Sequence, residues 1–194
     1  MEVRRTIIIA LLAALIVVGS YIAIPIGVVP ITLQTMFVLL AGVLGGQVIG
    51  LTAVAIYLVL GAIGLPVFFG GVGGFAHFAG PTGGFLISWL VASFVVGLIV
   101  DTSFKKGKGS KETTKKNLYA IIIACVVGTL IFFLIGVPYM KVVLSISWKE
   151  ALAIGLIPFL PGDLLKLVCA VILGNIFALR FREFIDKDRD EKVE

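Results

Sequence analysis

The chain has 194 residues, 60% of them hydrophobic and 14% charged, with a mean hydropathy of +1.17. Exchanging the 4 Tyr for the 23 Gly brings the apolar share to roughly 70%, against ~45–50% in soluble domains on the same count. So few charges cannot cover that much apolar side chain in water, which excludes a soluble enzyme, a disordered tail and, despite a net charge of +5, a nucleic-acid binder.

In chain order, Arg4-Arg5 and the apolar run from Ile7 have the outline of a secretory signal, but the run continues to Ile24 and reads as a first transmembrane helix. Ala10 and Ala14 form a small-xxx-small pair on it and, with Ala13, a smooth strip for a partner helix, a pattern that also arises by chance. Ile31 to Ile63 is apolar throughout, longer than the ~20 residues one span needs, so it is expected to fold back at Gly45-Gly46 into helices near 33–45 and 47–63.

Residues 64–82, with Pro66 and Pro81, read as a connection. Nine glycines lie between Gly61 and Gly84, interleaved with aromatics around His77. Such a segment suits closing over a ligand, with Phe75 and Phe78 as apolar walls, or else a plain interfacial connection. Gly71-x-Gly73-x-x-Ala76 imitates a dinucleotide fingerprint, but no strand is expected before it.

A fourth span follows over 83–100, then a polar loop over 101–117 with six Lys, and a fifth span over 118–136. Residues 137–160, with Pro138 and Pro158, are expected to form a loop and a short interfacial helix. Pro161 suits the first turn of a sixth span ending near Leu179. The expected architecture is therefore an all-α integral membrane protein, with one six-helix domain over 1–180 and a charged tail over 181–194. Six spans put the N-terminus, the 101–117 loop and the C-terminal tail on one side, and those segments hold thirteen of the sixteen basic residues. Positive-inside bias makes that side the cytoplasm of a cell membrane.

Asp163 and Lys166 are the most informative residues, because one charge at mid-membrane costs about 2.5–3.5 kcal/mol on insertion scales. At i and i+3 they share a helical face, where they either neutralise each other structurally or build a polar pocket near the extracytoplasmic end. Thr32, Gln34 and Thr35 bring hydrogen-bonding groups to the same side. Gln34 suits a ligand role and a packing role equally, while Thr32 reads as a helix cap. Tyr57 and Trp89 read first as packing or interfacial residues, with Tyr57 kept among the candidate ligand contacts. One His, two isolated Cys and the absence of a facing carboxylate pair argue against an enzyme or a metal site. A self-contained channel would need a polar path across the whole bilayer.

Pro30-Ile31-Thr32-Leu33-Gln34-Thr35, Gly64-Leu65-Pro66-Val67-Phe68, Gly80-Pro81-Thr82-Gly83-Gly84 and Pro161-Gly162-Asp163-Leu164-Leu165-Lys166 occur in this order. In these motifs the chain resembles the BioY family, the biotin-binding S components of energy-coupling factor (ECF) transporters, over about residues 10–180. The resemblance implies a six-helix subunit that captures biotin and works with a transmembrane scaffold subunit and two ABC-type ATPases. It further implies no cofactor, docking through Ala10 and Ala14, and biotin recognition by Asp163 and Lys166. His77 departs from the apolar residue expected there and is counted among the candidate ligand contacts. An S component for another vitamin, riboflavin or thiamine, is the alternative.

Overall fold

A computed structural model describes residues 3–25, 28–105 and 111–190. Among the described residues, five helices are long and apolar enough to cross a membrane. The first, α1 (Val3–Tyr21), leads into a two-residue strand β1 (Ala23–Ile24), which pairs antiparallel with β2 (Ile31–Thr32) in the register Ala23 with Thr32 and Ile24 with Ile31. The amide of Leu33 donates to the carbonyls of Gly19 and Ile22 at 3.2 and 3.1 Å, holding the start of the next helix against the end of α1.

That helix, α2 (Gln34–Ala62), folds back at Gly46, whose φ of 70° and ψ of −170° lie in a region open almost only to glycine. Residues 34 and 57 would be about 34 Å apart along a straight helix at 1.5 Å per residue. Instead the Gln34 amide donates to the Tyr57 hydroxyl, so the two limbs run side by side as the apolar length required. A Cβ on Gly50 would fall 2.5 Å from the Ala41 carbonyl oxygen, so the limbs cross where side chains are absent. Counting both limbs of α2, the molecule has the six-helix layout expected from the sequence.

The connection after α2 carries only a four-residue helix, α3 (Ala76–Ala79), and a bridge between Phe68 and Val72. Then come α4 (Gly83–Lys105), α5 (Lys111–Leu144), α6 (Trp148–Gly155), a 3-10 turn (Ile157–Phe159) and α7 (Leu160–Asp190). Ser147 and Glu150 form a capping box that starts α6, the short helix expected in this stretch.

Several boundaries differ from expectation. α1 stops at Tyr21, short of Ile24. α4 and α5 extend into the polar segment read as a loop, of which 106–110 lie outside the described residues. α5 continues through Pro138, where a break was expected. A proline removes one donor, but neighbouring helices can hold such a turn in place within a membrane. Here the adjacent Tyr139 hydroxyl donates to the Phe78 carbonyl at 2.6 Å. Finally, α7 runs past Leu179, so residues 181–190 of the expected tail are helical.

Polar contacts fasten the hairpin end of the bundle. Asp101 near the end of α4 accepts from the Gln47 amide at 3.0 Å, capping the second limb of α2, and pairs with Arg182 of α7 at 2.7 Å. The Arg182 guanidinium lies 4.5 Å from the Phe104 ring centroid, and Arg4 of α1 lies 5.6 Å from that of Phe184. Four elements thus meet at the end where the basic segments gather. Replacing Gly46 by Ala would force a side chain into this glycine-only backbone and to 2.5 Å from the Asp101 carboxylate. Gly46→Ala is expected to cost on the order of 1–3 kcal/mol. Thermal unfolding of the detergent-solubilised protein should show a midpoint several degrees below that of the parent.

Candidate ligand-binding site

At the opposite end from Asp101 and Arg182, a cavity of about 320 Å³ opens between α2, α4, α5 and α7. That volume is within the range of about 300–1,000 Å³ common for small-molecule sites. Two fixed charges line it, Asp163 and Lys166, one turn apart at the start of α7. Their residues are only 7% and 6% exposed, and the two side chains form a direct ion pair. Pro161 in the first turn of α7 lacks an N–H that a helix start would leave unsatisfied, which lets the helix begin where it brings this pair into the cavity wall.

The ammonium of Lys166 has three N–H donors. One faces Asp163, one donates to the Thr32 carbonyl at 2.9 Å and one to the Thr35 hydroxyl at 3.1 Å. All three are spent inside the protein. Asp163 meets Lys166 through Oδ1, and its other oxygen has no partner among the described residues. The carboxylate is therefore the member of the pair able to accept from a ligand.

The Thr32–Thr35 segment holds a second group of polar side chains. Thr32 Oγ accepts from the Gln34 amide at 3.3 Å and donates to the Gln34 side-chain oxygen at 3.0 Å. The Gln34 amide group donates in turn to Tyr57, whose hydroxyl also donates to the Val67 carbonyl at 3.3 Å. Gln34 and Tyr57 line the cavity, with Tyr57 fully buried. The first limb of α2 sets Gln34, the second sets Tyr57, and the turn at Gly46 brings the two to the same level.

Aromatic rings form much of the remaining wall. Phe68 lies edge-on to Tyr57 at 5.7 Å and Trp89 lies 6.0 Å from it. Phe69, Phe85, Phe132, Phe133 and Phe159 complete the apolar lining. His77 joins it from α3. The indole nitrogen of Trp89 and Nε2 of His77 are enclosed without a hydrogen-bond partner among the described residues.

The structure therefore brings Asp163, Lys166, Gln34, Tyr57 and His77 to one cavity. Phe75 and Phe78, expected as its walls, are not part of the lining. Phe75 is 74% exposed and stacks on Phe78, while Phe78 packs edge-on against Phe68 and into the core. Phe68 and Phe69, a few residues earlier in the same glycine-rich segment, take the place expected for them. Sequence reasoning missed Phe132, Phe133 and Phe159, which lie within apolar runs where nothing distinguishes a cavity-facing ring from one packed elsewhere. It also weighted Trp89 toward packing. Ala10 and Ala14 are exposed on the outer face of α1, whereas Ala13 is buried and turns inward, away from the strip assigned to it.

The sequence profile of the BioY family matches residues 1–183. The chain is 43% identical over 178 residues to the biotin transporter BioY of Rhodobacter capsulatus, covering 90% of this chain and 93% of that protein. Over 175 residues it is 36% identical to a probable biotin transporter BioY of Pyrococcus horikoshii, covering 90% and 96% respectively. Its fold is similar to that of the S-component for biotin from an ECF-type ABC transporter, known from a 2.1 Å crystal structure. The TM-score is 0.77 and the identity 30%, across 94% of this chain and 92% of that one. Six helical limbs, a buried acid–amine pair on the last helix and a profile match across nearly the whole length agree: this chain belongs to the BioY family.

Proposed function

We propose that the chain is the biotin-binding membrane subunit of an ECF-type uptake system, which takes biotin from the extracytoplasmic side of the cell membrane. Biotin is its transported ligand rather than a cofactor, and the subunit performs no chemistry of its own. The observation that carries the reading is the cavity in which one carboxylate oxygen, apolar rings and a few donors converge. Biotin offers matching groups: a ureido ring with two N–H donors and a carbonyl, an apolar thioether ring and chain, and a carboxylate. Asp163 accepts from a ureido N–H, the aromatic walls enclose the bicyclic ring, and Trp89 supplies a further donor. Lys166 is a positioning residue that fixes the carboxylate. Gln34 and Tyr57 shape the same wall through the hydrogen bond between them.

The cavity faces outward in this reading because the basic segments gather at the other end and mark the cytoplasmic side. Energy comes from partners, a transmembrane scaffold subunit and two ABC-type ATPases. The exposed Ala10 and Ala14 allow a scaffold helix to approach α1 closely.

Calorimetric titration of the detergent-solubilised protein should show saturable binding of biotin and none of riboflavin or thiamine. Tight binding of another vitamin without biotin overturns the assignment. Asp163→Asn should weaken biotin at least tenfold, since a hydrogen bond to a charged group contributes about 1.5–3 kcal/mol. Docking is tested separately. With Ala10 and Ala14 both replaced by Trp, biotin uptake by cells expressing the whole system should fall to background while the purified variant binds biotin normally. Normal uptake rules out that face of α1.

A further inference from the structure

The fixed charges that line the cavity cancel, because Asp163 and Lys166 neutralise each other. A ligand bearing a carboxylate would bring one uncompensated negative charge to an apolar enclosure, which is costly unless a counter-charge meets it. Lys166 does not provide that charge, since its three N–H groups are already bonded to Asp163, Thr32 and Thr35. Among the described lining residues, His77 carries the one other side chain whose chemistry allows a positive charge.

His77 is placed for the task. It lies on α3 in the connection that covers the cavity, with its ring 5.5 Å from Phe68 and tilted by 50°. Its Nε2 is enclosed and has no hydrogen-bond partner among the described residues, although a buried ring nitrogen ordinarily has one. Among the described lining residues the one carboxylate is that of Asp163. Elsewhere on the same connection, Tyr139 of α5 donates to the Phe78 carbonyl and Tyr21 of α1 to the Pro66 carbonyl. The first turn of α4 carries no charge. Tyr57, Asp163 and Lys166 line the same cavity, and the acid there is already paired.

We propose that His77 is the counter-charge for the ligand's carboxylate, so that binding draws one proton from solvent onto the imidazole. The inference rests on the biotin reading and extends it to the acid end of the molecule. A charge-assisted N–H to carboxylate bond is about twice as strong as a neutral one. A carboxylate held against the imidazole favours the imidazolium, so the complex binds more protons than the free protein. Affinity is then greatest where the imidazole takes up the proton and falls as rising pH makes that uptake harder, by at most about tenfold per pH unit. An alkyl carboxylic acid, titrating like a glutamate near about pH 4.3, stays ionised throughout.

The test is calorimetric titration of the intact purified protein with biotin and with its uncharged carboxamide between pH 5.5 and pH 8. Biotin affinity should fall at least fivefold from pH 6 to pH 8, the carboxamide should show no such fall, and His77→Gln should abolish the slope for biotin. Parallel pH profiles for acid and amide, or an unchanged biotin slope in His77→Gln, overturn the role of His77 while leaving the biotin reading intact. Binding of neither compound at any pH overturns the biotin reading itself.

Discussion

The contact on which the rest depends is the buried pair of Asp163 and Lys166. Neither residue stands alone in an apolar bundle without a large desolvation cost, and the pair is expensive even when well made. The protein meets this by giving the ammonium a full set of three partners, two of them at the end of β2 and in the first turn of α2. The pair therefore does more than neutralise itself. It fastens the start of α7 to the start of α2 and so fixes two walls of the cavity. Apolar side chains of the same volume would fill the space without any desolvation cost, so stability alone does not account for keeping ions there. What the pair adds is an acceptor of fixed position in an otherwise apolar wall.

The two ends of the bundle are built differently. At the hairpin end, Asp101 ties the turn of α2 to α4 and, through Arg182, to α7, with aromatic rings beneath the cations. At the cavity end, the cover is a glycine-rich connection with one four-residue helix, and its loop glycines 64, 70, 71 and 74 adopt positive φ. A closely fastened base beneath a lightly structured cover suits a protein that holds a small molecule at one end.

The most legible features in the sequence were those where physics leaves few options. The length of the apolar run 31–63 and the glycines at its middle implied a hairpin, and the Gln34–Tyr57 bond requires one. The rarity of charge within apolar runs drew attention to Asp163 and Lys166. Less legible were choices made by packing. Phe75 and Phe68 belong to the same aromatic, glycine-rich segment, and it is tertiary contacts, among them the bridge from Phe68 to Val72 and the edge-on contact with Tyr57, that go with the inward position of the latter. Pro138 read as a break because the sequence does not reveal the anchoring bond of its neighbour Tyr139. Ala13 and Ala14 are adjacent and identical, and helix rotation alone sends one into the core and the other outward.

The most direct measurement is an experimental structure of the protein with biotin bound. A ureido nitrogen should lie within about 2.7–3.2 Å of the Asp163 carboxylate. Lys166 should still be bonded to Thr32 and Thr35. A complex in which Lys166 has left those partners to grip the ligand, with Asp163 touching no part of biotin, would contradict the account.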